Sequence, residues 1–80
     1  MKVRLLLFAQ YRDFTGAGEL ELELPAYSTA ADLVAHLRQE RGMHLLPPKP
    51  ALAVNRTYAT LSEPLQDGDE VALLPPVAGG

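Results

Sequence analysis

The residues with the clearest chemical potential are the two glycines that end the sequence, Gly79 and Gly80. A carboxylate on Gly80 has no Cβ beside it and Gly79 is equally slim, so such an end fits a narrow active site of another protein, where the carboxylate can be activated and modified. The alternative is an ordinary chain end, since termini are often poorly ordered. The pair therefore indicates a function only if the rest of the chain forms a domain that presents it.

The composition argues against several other kinds of site. The 80 residues include no cysteine, which excludes disulfides, thiolate metal sites and cysteine nucleophiles and is weakly typical of a reducing compartment. The formal net charge is −3 and the Lys and Arg residues are scattered, a pattern that disfavours nucleic-acid binding. His36 and His44 have no third ligand nearby in the sequence, so we expect no metal site.

No stretch of the chain has the apolar length of a membrane span, which is roughly 18 residues. The opening segment 1–9 resembles a signal peptide only superficially, because its apolar run is short and no small-residue cleavage site follows it. We therefore expect a strand there, a cytoplasmic location and no membrane partner.

The hydrophobic patterning predicts one helix among several strands. A helix over 29–41 is indicated by Thr29 as N-cap, by Asp32 as its capping-box partner and by a single apolar stripe. The stripe consists of Ala30, Leu33, Val34 and Leu37. The predicted strands are 2–9, 19–24, 51–55 and 70–75, with a turn and a very short return strand within 56–59. One helical turn is expected at 11–14, closed by Gly16 and Gly18.

This order of elements describes an α+β fold of the β-grasp (ubiquitin-like) type, a mixed sheet of about five strands with one main helix across it. In that topology the first and last strands pair in parallel at the centre of the sheet, which explains why both contain continuous apolar runs. The runs are Leu5-Leu6-Leu7-Phe8 and Val71-Ala72-Leu73-Leu74. We expect a domain over 1–76, ended by Pro75 and Pro76, and a flexible Gly-Gly tail over 77–80.

An ordered set of short segments resembles the family of small, sulfur-carrying subunits of molybdopterin synthase. The segments are Leu6-Leu7-Phe8-Ala9-Gln10-Tyr11-Arg12, Ala53-Val54-Asn55, Leu65-Gln66-Asp67-Gly68-Asp69-Glu70-Val71 and Pro75-Pro76-Val77-Ala78-Gly79-Gly80. The related thiamine sulfur carriers share the fold and the Gly-Gly end but usually lack the double proline. They remain the alternative within the same class.

The resemblance implies a carrier cycle rather than catalysis by this chain alone. An adenylyltransferase related to ubiquitin activators would use ATP to adenylate the Gly80 carboxylate, and a sulfur donor protein would convert it to a thiocarboxylate. The tail, with Gly79 letting it fit, would then enter the synthase large subunit in a heterotetramer and pass sulfur to a cyclic pyranopterin monophosphate. No tightly bound cofactor is implied.

Strand alternation also predicts a docking surface. If one sheet face meets the helix, Phe8, Ala72 and Leu74 lie on the other face, and Tyr58 lies beside them. Such an apolar patch is typical of a protein interface; the alternative is that loop 43–50 covers it. The same positions face the large subunit in the family. The predicted partner-binding set consists of Phe8, Arg12, Tyr58, Leu74, Pro75, Pro76 and Val77. Arg12 is predicted to pair with a partner carboxylate, and an ordinary surface arginine is the equal alternative.

Two functions of other classes remain open on the sequence. A ubiquitin-like modifier would be joined to lysines through Gly80, and a plain interaction module would have an inert tail.

Overall fold

The computed structural model describes residues 1–44 and 46–75. The strands are β1 (Lys2–Leu7), β2 (Glu19–Glu23), β3 (Ala51–Val54), β4 (Thr57–Ala59) and β5 (Glu70–Leu74), and the helices are α1 (Ala9–Thr15) and α2 (Ala30–Gln39). The sheet has the order β2-β1-β5-β3-β4. This is the predicted β-grasp architecture.

β1 and the central strand β5 run parallel, as predicted from their apolar runs. In β1 and β5, Leu5 pairs with Val71 and Leu7 with Leu73. β5 also pairs antiparallel with β3, where Ala51 lies opposite Leu74. The last strand is therefore hydrogen-bonded on both sides and ends in the middle of the sheet.

One face of the sheet and the stripe of α2 form a single core. The predicted inner residues Leu5, Leu7, Val71 and Leu73 and the predicted stripe Ala30, Leu33, Val34 and Leu37 are all buried in one cluster. Burying each large side chain contributes roughly 1.5–3 kcal/mol. Since the chain has no disulfide, this packing must hold the domain together.

The start of α2 follows the predicted capping box. The Asp32 backbone N–H donates to Thr29 Oγ1 at 3.4 Å, and the Thr29 N–H donates to Asp32 Oδ2 at 2.8 Å. The helix ends two residues earlier than predicted, at Gln39 with Glu40 as C-cap. Arg41 therefore lies outside it.

The first connection differs from the prediction. β1 stops at Leu7 rather than at residue 9, because Ala9 has a positive φ of 49° that no strand residue adopts. The helix after it has seven residues instead of one turn. Gly16, in the left-handed conformation, ends it, while Gly18 is not part of its cap.

The β3–β4 hairpin has a two-residue turn in which Asn55 and Arg56 have φ of 51° and 70°. Two consecutive positive values are the signature of a type I′ turn. The Asn55 side chain ties this turn to β5, because its Nδ2 donates to Asp69 Oδ1 and its Oδ1 accepts the Glu70 N–H, both at 3.0 Å.

None of the helices in the described ranges is long and apolar enough to cross a membrane.

Candidate functional site

The face of the sheet turned away from α2, here called the outer face, carries a row of apolar side chains at its centre. The register places Leu6 beside Ala72, Ala72 beside Ala53, and Ala53 beside Tyr58. Leu6, Ala53 and Ala72 are partly exposed, and Tyr58 is 82% exposed. A row this accessible is available to another protein.

A second row lies at the end of the sheet where β5 stops. Leu74 pairs with Ala51 there. Phe8 continues the extended backbone of β1, with φ −127° and ψ 159°, and so points opposite to the buried Leu7. Phe8 is 44% exposed. The two rows together are called the apolar patch: Leu6, Phe8, Ala51, Ala53, Tyr58, Ala72 and Leu74.

Loop 43–50 does not cover the apolar patch in the part of the chain that the structure describes. Met43 and Leu46 are buried in the same core as α2. Phe8 and Tyr58 stay exposed. The alternative of a covering loop is therefore wrong for these two side chains.

Charged residues border the apolar patch on the side away from the end of β5. Arg4 Nη2 donates to Glu70 Oε2 at 2.6 Å, and Arg4 Nε lies 4.0 Å from Glu19 Oε1. The hydrogen bond to Glu70, followed by the charge of Glu19, raises the pKa of the Arg4 guanidinium. Lys2 Nζ lies 3.8 Å from Glu21 Oε1 at the same border. An apolar centre with a polar rim is the usual anatomy of a protein interface.

Arg12 lies on α1 and is exposed. A Cβ placed on Gly18 would lie 3.6 Å from Arg12 Nε, so the glycine leaves room for the guanidinium to lie close to the backbone. No ion pair between described residues includes Arg12. Its predicted pairing with a partner carboxylate stays a prediction.

The predicted reacting end begins where the structure's description stops. Pro75 follows β5 and is partly buried. The predicted site residues Pro76, Val77, Gly79 and Gly80, and with them the domain boundary at 76 and the tail 77–80, lie outside the described residues. The structure does show that the chain leaves the sheet between β1 and β3, next to the apolar patch.

Two features near the apolar patch, but outside it, were not expected from the sequence. Tyr11 is fully buried and is among the largest side chains in the core, where burial raises the pKa of its phenol. In the sequence Tyr11 stands alone between polar residues, a pattern that only weakly indicates a buried side chain. Asn55 anchors the hairpin to Glu70, and an Asn at a turn is the pattern that could have indicated this.

Comparison with known proteins gives a consistent set of relatives. A sequence profile of the ThiS family matches residues 5–80. The molybdopterin synthase sulfur carrier subunit of Escherichia coli is 36% identical over 80 residues, covering 98% of this chain and 99% of the relative.

Two solved structures extend the comparison. The complex of subunits 1 and 2 of molybdopterin-converting factor from Helicobacter pylori contains a chain that is 28% identical, with complete coverage of both chains and a TM-score of 0.71. The small archaeal modifier protein 1 of Haloferax volcanii is 25% identical, covers 95% of this chain and 98% of its own, and has a TM-score of 0.78.

Proposed function

The chain belongs to the ThiS family, and on that premise we propose that it is the sulfur-carrier subunit of a molybdopterin synthase. Gly80 carries the chemistry: an activating enzyme adenylates its carboxylate with ATP, a sulfur donor converts it to a thiocarboxylate, and the sulfur passes to a cyclic pyranopterin monophosphate. The full-length similarity to the carrier subunit of Escherichia coli supports this role.

One structural observation carries the proposal. The apolar patch adjoins the point where the chain leaves β5, since Leu74 pairs with Ala51 inside the patch. Five residues follow Pro75, and fully extended they span about 16 Å. A partner that covers the patch would therefore receive the Gly80 carboxylate within its own surface.

The proposed steps need groups that other proteins supply. In adenylation, a carboxylate oxygen attacks the α-phosphorus of ATP and pyrophosphate leaves. A hydrosulfide equivalent from the donor then attacks the carbonyl carbon, a C–S bond forms, and AMP leaves with the former carboxylate oxygen. Positioned acids, bases and metal ions for such steps belong to an active site. The chain acts as a carrier and is not an enzyme alone.

The large subunit of the synthase is the proposed partner of the apolar patch, in a heterotetramer. The Helicobacter pylori complex of subunits 1 and 2 supports the pairing of a small and a large subunit. The absence of cysteine from the sequence is compatible with work in the reducing cytoplasm.

Intact mass spectrometry tests the proposed function. The chain is co-expressed with its cognate activating enzyme and sulfur donor, and we expect a species heavier by the difference between a sulfur and an oxygen atom. A variant lacking Gly79 and Gly80 is the control and should show no such species. If the full chain gains no mass while the partners are active on a known carrier, the proposal is wrong.

A second function has its own support, the structural similarity to small archaeal modifier protein 1. A modifier would be joined to lysines of other proteins through Gly80. After proteolysis, a Gly-Gly remnant on target lysines would favour this function. A growth experiment tests the alternative that the chain carries sulfur for thiamine synthesis. If a deletion strain grows without added thiamine but lacks molybdoenzyme activity, the thiamine role is excluded.

A further inference from the structure

Lys49 lies beside the point where the chain leaves the sheet. Ala51 is the first residue of β3 and pairs with Leu74, the last residue of β5. Lys49 precedes Ala51 by two residues. Pro50 is buried while Lys49 is exposed, and the prolines on both sides of Lys49 restrict its backbone. The Lys49 backbone is thus restricted at the end of the sheet from which the C-terminal residues continue, and its exposed amine lies on that end.

The other amines of the chain are engaged at the opposite end of the sheet. The sequence contains two lysines. The Met1 amino group donates to the Leu24 carbonyl at 2.8 Å and is partly buried. Lys2 Nζ lies 3.8 Å from Glu21 Oε1, and the Lys2 carbonyl accepts the Gly68 N–H at 2.7 Å. Within ranges 1–44 and 46–75, no ion pair includes Lys49.

The two lysines differ in the length of chain that Gly80 needs to reach them. Six residues follow Leu74, which gives a reach of about 20 Å, while Lys49 is within about 7 Å of chain from Ala51. Lys2 lies level with Gly68, which precedes the start of β5 by two residues and Leu74 by six. To meet Lys2, the last residues would have to run back fully extended along nearly the whole sheet. The reach of the residues after Leu74 exceeds the distance that Gly80 must span to meet Lys49.

We infer that Lys49 is an internal acceptor for the activated Gly80 carboxyl group, closing an isopeptide bond within one chain. This inference rests on the proposed function, because activation at Gly80 supplies the acyl group. The unprotonated amine attacks the carbonyl carbon, a C–N bond forms, the bond to AMP breaks, and the amine proton passes to solvent. A group held this near on the same chain acts at an effective concentration in the millimolar range. The closed product can no longer carry sulfur, so a partner that holds the tail also protects it.

The test uses a chemically activated chain and no activating enzyme. Residues 1–80 are fused to an intein and released with 2-mercaptoethanesulfonate, which leaves a thioester on Gly80. Attack by Lys49 then breaks the C–S bond, and the thiol leaves. The closed product has the mass of the free acid less one water, and tandem mass spectrometry locates its crosslink.

We expect a Lys49–Gly80 crosslink, and a rate of closed-product formation that is independent of protein concentration. Lys49→Arg keeps the charge and should lower the total rate at which any closed product forms by about tenfold or more, as expected when a millimolar-range internal nucleophile is lost. Lys2→Arg, the matched control, should leave the rate unchanged. Hydrolysis alone, crosslinks to Lys2 or Met1, or covalent dimers would overturn the inference. Because no partner takes part, these outcomes are independent of whether a thiocarboxylate forms in the test of the proposed function.

Discussion

Arg4 and Glu70 face each other across the two central parallel strands, with Arg4 Nη2 2.6 Å from Glu70 Oε2. The Glu70 side chain is 18% exposed and the Arg4 side chain 54% exposed. The backbone N–H of Glu70 also donates a hydrogen bond to Asn55 Oδ1. Glu70 thus joins β1, β5 and the β3–β4 turn at one border of the apolar patch.

This pair should couple weakly and lose its coupling in salt. We expect a double-mutant cycle of Arg4→Gln and Glu70→Gln to show a favourable interaction at low ionic strength, since exposed ion pairs are weak but hydrogen-bonded geometry favours them. At about 1 M salt, where the Debye length is near 3 Å, the coupling should shrink. Urea unfolding at both ionic strengths measures it. A coupling that does not change with salt would contradict a mainly electrostatic origin.

The apolar patch should provide binding energy without providing much stability. We expect Phe8→Ala and Tyr58→Ala each to weaken binding to the large subunit by about 1–4 kcal/mol, because exposed aromatic residues are typical anchors of interfaces. Calorimetric titration measures the affinity, and urea unfolding checks that the fold is retained.

The chain offers a matched control for each of these substitutions. Phe14 is 49% exposed and Tyr27 is 95% exposed, and both lie outside the apolar patch. Phe14→Ala and Tyr27→Ala should leave the affinity nearly unchanged. Equal losses from the patch variants and the controls would show that the large subunit does not bind at this face.

Tyr11 should make the fold sensitive to alkali. Burial raises the pKa of its phenol above the ordinary value of 10.0. Because the folded pKa exceeds the unfolded one, the stability contribution is complete below about pH 10 and is lost as the pH rises through the folded pKa. We expect Tyr11→Phe to lose less free energy of unfolding than the parent as the pH rises above about 10. The exposed Tyr58, changed to Phe, should leave the parent's decline intact; an equal flattening in both variants would argue against Tyr11 as the cause.

The type I′ turn should be stabilised by a glycine at its second position. Arg56 has φ of 70°, a conformation that costs roughly 1–2 kcal/mol for a residue with a Cβ. After the entropy cost of glycine, Arg56→Gly should raise the free energy of unfolding by about 0.5–1 kcal/mol. Arg56→Ala keeps the Cβ and should give no such gain in thermal or urea unfolding. If alanine stabilises as much as glycine, removal of the charge is the cause.

The sequence predicted the features that depend on repeating patterns. The unbroken apolar runs at 5–8 and 71–74 indicated two central strands, and the structure pairs them in parallel. Thr29 and Asp32, three residues apart, predicted the start of α2. In each case the local pattern and the tertiary contacts favour the same structure, which is why pattern reasoning succeeds there.

The differences arise where tertiary contacts override the local pattern. Ala9 continues the alternation of β1, but the backbone turns there with a positive φ and starts the helix that buries Tyr11. Nothing in the hydrophobic period marks that reversal. The burial of Met43 and Leu46 is similarly a property of how the loop meets the core, because their segment has no regular period. The predicted reacting residues at the end of the chain remain predictions.

The position of β5 has a mechanical consequence. A carrier whose C-terminal residues are held in another protein's pocket must be pulled out again at the end of each cycle. β5 is hydrogen-bonded along both sides, parallel to β1 and antiparallel to β3. A pull along its axis therefore loads these bonds in shear, all at once, rather than opening them one at a time. The strand that takes the pulling force can be released only if its pairings with both neighbours break together, so the fold resists withdrawal of the C-terminal residues.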